Sequence, residues 1–270
     1  MRNVTVPLIV IRHDWMPKVV HKNMVLNMKR LLLLSLVLRL FDLSLPLLRP
    51  HENALFIRKS EREIVLLLLY VDDVIITGVN ADGIFDLKAS LHRTFEMKDL
   101  GSLSYFLGLE VISTVDGIYI SQAKYASDLL ARAKLTDSRI ESTPLEPNIR
   151  FIPMDGIVLD NPTLYRQLVG KLIYLTITRP DIAYPVHVLS QFLSAPRTTH
   201  YVAVLRILRY IKGTIFHGLH FSAYLSLSLQ AYSDVDWAGD PTDYRSTTGY
   251  CLFLGDSLIF WQAKKQTFTT

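Results

Sequence analysis

The chain has 270 residues, a formal net charge of +4 at pH 7 and a sequence pI of about 9.0. This length allows one large domain or two modest domains, each with a core. The mild positive charge suits a polyanionic partner, although a solvated surface with a few extra lysines is the better explanation when the charge is taken by itself. The single cysteine, Cys251, excludes an internal disulfide and a cysteine-based zinc site, and it favours an intracellular rather than a secreted protein.

A leucine-rich run near the start of the chain resembles a targeting signal. Leu31–Leu38 follows the basic pair Lys29-Arg30, as the apolar part of a signal peptide follows its basic part. Arg39 and Asp42 interrupt the run before it reaches the roughly 20 apolar residues that a membrane span requires. We therefore expect no membrane segment, and a secreted or membrane protein remains the alternative.

Two adjacent carboxylates stand between two apolar runs. Leu66–Tyr70 and Val74–Ile76 have the continuous apolar character of strands buried on both faces, and Asp72 and Asp73 lie at the turn between them. Like charges so placed repel each other unless a cation lies between them. The pattern predicts a hairpin that presents metal ligands, whereas an exposed turn is the alternative because aspartate is common in turns.

Amphipathic elements follow the hairpin. Apolar residues at helical spacing predict a helix that covers the sheet, and these residues are Ile84, Leu87, Leu91 and Phe95. A strand is predicted from Tyr105 to Val111, with a turn at Asp116-Gly117 into a second strand. Ser121 is then placed to cap a helix that carries Tyr125, Leu129 and Ala133 on one face.

Prolines interrupt the pattern from Thr143 to Pro162, which predicts a linker. Three helices are predicted after it, near Leu164–Thr176, Ile182–Leu193 and Thr199–Ile211. The third carries Arg206, Arg209 and Lys212 on one side. Such a basic stripe can contact the phosphates of a duplex independently of sequence, and a solvated basic face is the alternative.

These motifs together resemble one family, the reverse transcriptases of copia-type (Ty1/copia) LTR retrotransposons. The resemblance starts at Tyr70-Val71-Asp72-Asp73 and extends from about His51 to Thr270. Further segments in the order of the family are Met97–Gly101, Tyr105–Glu110, Gly117–Gln122, Val169–Leu175, Thr178–Ile182 and Arg206–Thr214. Leu227–Asp240 resembles the opening strand of the family's RNase H domain, and two more strands are predicted at 246–254 and 259–266.

The resemblance implies an α+β fold, with part of a polymerase palm, a helical thumb and connection, and a truncated RNase H-like sheet. The implied regions are 1–50 as a segment without homology, 51–143 as the partial palm, 144–163 as a linker, 164–222 as thumb and connection, and 223–270 as the RNase H-like part.

The resemblance also implies chemistry. Polymerases of this kind use Mg²⁺, and Asp72 and Asp73 match two of their metal ligands, while Asp234 matches the first RNase H carboxylate. Their partners are an RNA template with a DNA primer, RNA–DNA hybrids and dNTPs. Tyr70 would contact nucleic acid, as would Tyr105, Leu107 and Gly108 in a region that resembles the primer grip. Core packing is the alternative for Tyr105 and Phe106, and we prefer it for Phe106.

The first 40 to 50 residues do not follow the family. When the codons of Lys18–Ser35 are read from each third base, suitable codon choices give a peptide that resembles the family's segment upstream of the hairpin; Met24 then forces a glycine and Met28 a glutamate. We infer an out-of-frame segment, which removes the aspartate that an earlier palm strand supplies. We therefore expect no polymerase activity. RNA cleavage is also not expected, because Asp234 has none of the family's later carboxylates beside it. A non-enzymatic nucleic-acid binder is the second hypothesis.

Overall fold

The computed structural model of the protein describes residues 8–13, 53–59, 64–70, 73–78, 81–135, 139–224, 226, 228–240 and 242–267. Their chain divides into two compact units, the first ending at Phe106 and the second starting at Leu107. Each unit has an apolar core of its own.

The first unit is built on an antiparallel sheet with the strand order β2-β3-β4-β1-β5. These strands are β1 (Leu8–His13), β2 (Asn53–Lys59), β3 (Ile64–Tyr70), β4 (Asp73–Gly78) and β5 (Met97–Ser102). The predicted pairing of β3 with β4 is confirmed. Both strands are buried through consecutive residues, 65–68 and 74–76, as their unbroken apolar runs predict.

One helix, α1 (Ala81–Thr94), packs on this sheet. Ile84 and Leu91 are buried in the core of the first unit, and Leu87 and Phe95 pack against it. These are the four residues whose spacing predicts the helix, so that prediction is confirmed.

The predicted strand from Tyr105 to Val111 is wrong as a single element. β6 (Tyr105–Phe106) ends at a turn, where Leu107 and Gly108 have φ angles of +49° and +78°. Strand backbone has negative φ, so the chain restarts as β7 (Leu109–Thr114). β7 pairs with β8 (Gly117–Ser121), and β8 pairs with β9 (Gly218–Ser222). The predicted Asp116-Gly117 turn therefore joins two antiparallel strands.

Four helices surround the core of the second unit. They are α2 (Ala123–Arg132), α3 (Pro162–Leu175), α4 (Ala183–Ser190) and α5 (Thr198–Gly213). The predicted cap of α2 is wrong, because Gln122 holds the capping position and the Ser121 hydroxyl instead donates to the Glu110 carboxylate at 3.0 Å. α3 begins two residues earlier than predicted, at Pro162.

The proline-rich stretch before α3 is irregular, as predicted, yet it is packed against the helices. Phe151 lies in the core of the second unit, and Val158 forms an isolated bridge with Arg197. The stretch therefore contributes to the helical core in addition to connecting elements.

A three-stranded antiparallel sheet follows, with β11 in the centre. Its strands are β10 (Leu229–Val235), β11 (Thr247–Leu254) and β12 (Ser257–Lys265), close to the three predicted ones. The Trp261 indole N–H donates to the Thr176 carbonyl at 3.2 Å and joins this sheet to the helices. The described residues thus form an α+β protein, and none of their helices is long and apolar enough to cross a bilayer.

Candidate functional site

The first candidate site is the end of the β3–β4 hairpin. Tyr70 and Asp73 form the last pair of the β3–β4 ladder. Asp73 is half-buried at the first position of β4. Asp72 and the side chain of Tyr70 lie outside the described residues.

The strand beside β4 determines which side chains could bind a metal ion together with Asp73. That neighbour is β1, with the sequence Leu-Ile-Val-Ile-Arg-His, and its Arg12 stands opposite Asp73 in the ladder. Mg²⁺ takes oxygen ligands, chiefly carboxylates and water. β1 contains no carboxylate residue, and among the described residues no group of three or more His, Cys, Asp or Glu side chains could hold a metal. The described residues at this end of the sheet do not fit a two-metal centre.

The predicted nucleic-acid contacts Tyr105, Leu107 and Gly108 do not lie in one strand. Tyr105 belongs to β6, and the other two form the turn that follows it. The Tyr105 side chain is 54% exposed. Its exposure argues against the core-packing alternative. Leu107 lies in the left-handed turn, and its carbonyl accepts a hydrogen bond from the Tyr174 hydroxyl. A Cβ on Gly108 would touch the same tyrosine ring at 3.6 Å, so this turn is held from α3.

The basic stripe on α5 is partly neutralised. The Arg206 guanidinium lies 3.3 Å from the Glu141 carboxylate and 3.2 Å from the Glu146 carboxylate. Two carboxylates beside one guanidinium cancel much of its attraction for phosphate. Arg209 and Lys212 lie further along the same helix and are half-exposed. Both remain candidates for phosphate contacts.

A second candidate site is an open cleft of about 490 Å³ between α4 and the three-stranded sheet. Its lining includes Asp234 and Asp236 from β10 and the loop after it, together with Tyr184, Tyr232, Tyr250 and Trp261. Ligand sites of proteins commonly have this size and combine aromatic walls with a few polar groups.

Backbone donors already engage both carboxylates of the cleft. Oδ1 of Asp236 accepts N–H groups from Gly239 (3.1 Å) and Thr247 (3.0 Å), which fix the loop after β10. Oδ1 of Asp234 accepts the N–H of Val235 at 2.9 Å. Burial, followed by the negative charge of Asp236, raises the pKa of the Tyr184 hydroxyl. Asp234 thus lies in the lining of the cleft, with a single further carboxylate, Asp236, among the lining residues.

Sequence reasoning missed Asp236 and the aromatic wall. Asp234 and Asp236 are two positions apart, so a strand places both on one face, and this spacing was a usable signal. Tyr184 belongs to α4, about fifty positions earlier in the chain, and no local pattern connects it with β10.

Comparison with known proteins shows the class of protein to which the chain belongs. A family model described as reverse transcriptase (RNA-dependent DNA polymerase) matches residues 40–147, which include the β3–β4 hairpin. The Retrovirus-related Pol polyprotein from transposon RE1 of Arabidopsis thaliana is 43% identical over 215 residues, covering 80% of this chain and 15% of that polyprotein. The corresponding polyprotein from transposon TNT 1-94 of Nicotiana tabacum is 37% identical over 222 residues, covering 78% of this chain and 16% of the polyprotein.

Shorter relatives match as well. An uncharacterized mitochondrial protein of Arabidopsis thaliana is 43% identical over 200 residues, which cover 74% of this chain and 83% of that protein. No solved structure matches the chain at a significant level. The chain belongs to the reverse transcriptase family of copia-type retrotransposon Pol polyproteins, and it spans about 15% of the length of the RE1 polyprotein.

Proposed function

We propose that the chain is a degenerate piece of a retrotransposon RNA-directed DNA polymerase and that it does not polymerise DNA by itself. The family supplies the ancestral reaction, in which Mg²⁺ ions activate the primer hydroxyl and hold the triphosphate of the incoming dNTP. The observation that carries the proposal is the register of β1, which sets Arg12 opposite Asp73 and offers no carboxylate.

The physical reason is the geometry of a two-metal site. Each divalent ion of such a site would need several oxygen ligands, chiefly carboxylates and water. A cationic residue type opposite Asp73 supplies no such ligand. Asp72 and Asp73 together remain short of the set that the reaction requires.

Primer extension tests this proposal. The purified chain is mixed with an RNA template, an annealed DNA primer, Mg²⁺ and dNTPs, and extension is compared with that of Asp73→Asn. We expect both proteins to give the background signal. Asp256→Asn, a matched change in the exposed β11–β12 turn, is the control. Extension that disappears in Asp73→Asn and persists in Asp256→Asn would show that the chain is an active polymerase.

The same shortage of metal ligands bears on cleavage of RNA. Asp234 and Asp236 are the carboxylates in the cleft lining, and both already accept backbone N–H groups. We expect no Mg²⁺-dependent cleavage of the RNA strand of a hybrid. Cleavage that Asp234→Asn removes would contradict this expectation.

Binding of an RNA–DNA hybrid without catalysis is the second candidate function. Arg209 and Lys212 support it, because they lie on one side of α5 and are half-exposed. Contacts of this kind depend on salt, since cations on a protein displace counterions from the phosphates. The proposal is therefore one of weak binding that does not depend on nucleotide sequence.

Fluorescence anisotropy with a labelled hybrid at several salt concentrations tests this second function. Replacing Arg209 and Lys212 by alanine is expected to lower the slope of log affinity against log salt by about 2, roughly one for each phosphate that the variant can no longer neutralise. Lys264→Ala, which removes an exposed charge from β12, should leave the slope nearly unchanged. Binding that is absent, or that does not respond to salt, would exclude the function.

A further inference from the structure

A short irregular segment, residues 139–146, runs along α5 in the opposite direction, and we call it the acidic strap. Near its start, the Ile140 side chain takes the space that a Cβ on Gly213 would occupy, so it lies directly against the end of α5. Further along the strap, Nη2 of Arg206 donates to the Thr143 hydroxyl at 2.9 Å. The strap therefore passes over about two turns of α5.

The strap covers one line along the basic side of α5. Arg206 and Gly213 are seven positions apart, close to two full turns, so both lie on this line. Arg209 is displaced from the line by about 60° around the helix, and Lys212 by about 120°. The Glu141 N–H donates to the Arg209 carbonyl at 3.5 Å, which keeps the strap beside the helix. Arg206 is thus the basic residue under the strap, and Lys212 is the one farthest from it.

The carboxylates of the strap stand where an external anion would meet Arg206. Nη1 of Arg206 is 3.3 Å from the Glu141 carboxylate and 3.2 Å from the Glu146 carboxylate. The side chains of Arg206 and Glu141 are only 20% and 16% exposed, so this pair is screened less than a surface pair. Arg139 pairs with the same Glu141 at 3.2 Å. Two carboxylates then balance two guanidinium groups, and no net positive charge remains around Arg206.

The strap leaves part of the guanidinium capacity unused. Both carboxylates of the strap approach Nη1 of Arg206, so neither forms the two parallel hydrogen bonds of a bidentate pair. Nε of Arg206 and Nε of Arg209 are buried and have no hydrogen-bond partner within the described part of the chain. Phosphate oxygens suit a guanidinium fork, so a phosphate that displaced the strap would find free donors.

We propose that the acidic strap is an autoinhibitory element, in which Glu141 and Glu146 occupy the position on α5 where Arg206 would otherwise contact a phosphate of a nucleic-acid duplex. The inference rests on the hybrid-binding function proposed for Arg209 and Lys212, and it describes the regulation of that same surface. Because the carboxylates belong to the same chain as Arg206, they compete with phosphate at a high effective concentration.

Fluorescence anisotropy of the whole chain with a labelled RNA–DNA hybrid tests the proposal. Glu141→Gln/Glu146→Gln keeps the size of the strap side chains and removes both negative charges. Asp86→Asn/Asp256→Asn is the matched control, because it removes two negative charges from exposed positions in α1 and in the β11–β12 turn. We expect the strap variant to gain about 0.9 in the slope of log affinity against log salt, since one more phosphate is neutralised. The strap variant and the unchanged chain should bind alike near 1 M salt and differ by about eightfold at 0.1 M salt.

A third variant shows whether the gain depends on Arg206. Arg206→Ala, added to the strap variant, should remove the gain in slope. Binding by the strap variant alone would support the autoinhibition and exclude hybrid binding by the unchanged chain. Equal slopes in the strap variant and the unchanged chain would overturn the inference and leave hybrid binding standing. A gain of the same size in the control, or a gain that persists without Arg206, would also overturn the inference. Absence of binding in all of these proteins would overturn both proposals.

Discussion

At the scale of single residues, His200 links the packing of the second unit to pH. It is fully buried at the start of α5, where its ring stacks on the Phe192 ring with 3.9 Å between the ring centroids. Nδ1 accepts the Arg197 N–H at 3.1 Å, so the neutral ring carries its hydrogen on Nε2 and donates to the Ile152 carbonyl at 3.2 Å. Burial lowers the pKa of His200 below its usual value, so protonation is disfavoured in the folded chain.

The expected consequence is a loss of stability in mild acid. The unfolded chain takes up a proton at His200 near pH 6.5, whereas the folded chain resists it, so the free energy of unfolding falls as pH drops below about 6.5. Urea unfolding between pH 8 and pH 5 measures this. His187 also has a pKa lowered by burial and by Lys265, so His187→Gln should keep the part of the slope that belongs to His200. A flat profile in that variant would contradict the prediction.

Arg179 is a buried cation that stabilises the fold of the second unit. Its side chain is 2% exposed, and it donates to both oxygens of Asp181 and to the backbone carbonyl and hydroxyl of Thr214. Lysine has one compact charge in place of this planar fork. Arg179→Lys should therefore lower the free energy of unfolding by about 2 to 3 kcal/mol. Urea unfolding checks the value, and Arg58→Lys, an exposed change, should cost almost nothing.

Contacts distant in sequence limited what the residues alone could show. The motif around Arg179 was visible in the sequence, yet its bond to Thr214 spans 35 positions. Arg206 fitted a phosphate contact until Glu141 and Glu146 were found beside it, more than fifty positions away in the chain. Side-chain spacing along a helix shows which face a residue occupies, but not which segment covers that face.

At the scale of elements, the start of α3 rests on a local signal that was present in the sequence. Oδ1 of Asn161 accepts the Thr163 N–H at 3.0 Å, and Pro162 takes the first helical position. Asparagine before proline is a typical helix start, and interpreting the stretch as linker up to residue 163 hid it. Strands and helices with long apolar patterns were predicted well, whereas caps and the Leu107–Gly108 turn depended on one or two residues.

This cap gives a prediction for the stability of α3. Asn161→Ala leaves the Thr163 N–H without its side-chain acceptor and should lower the free energy of unfolding by about 1 kcal/mol. Asn161→Asp keeps an acceptor and should stay near the unchanged chain. Chemical unfolding of the three proteins measures the difference, and an equal loss in both variants would show that the cap is not the cause.

At the scale of the whole molecule, the two cores contain separate sets of residues. The core of the first unit joins β3, β4 and α1, and the core of the second joins residues from Ala126 to Ile211. The β3–β4 hairpin therefore belongs to one core, and the α5 stripe belongs to the other. Loss of one candidate function by mutation does not require loss of the other.

Unfolding of the full chain should accordingly show two transitions. Ile76 and Leu208 are both fully buried, one in each core. Truncating either to alanine removes a comparable apolar side chain and should cost about 2 to 5 kcal/mol in its own unit. Ile76→Ala should lower the midpoint of one transition and Leu208→Ala that of the other, as measured by circular dichroism in urea. A fragment of residues 107–270 should unfold at the midpoint that Leu208→Ala shifts. One shared transition that both variants lower equally would show a single cooperative unit, because truncations in independent cores do not destabilise each other.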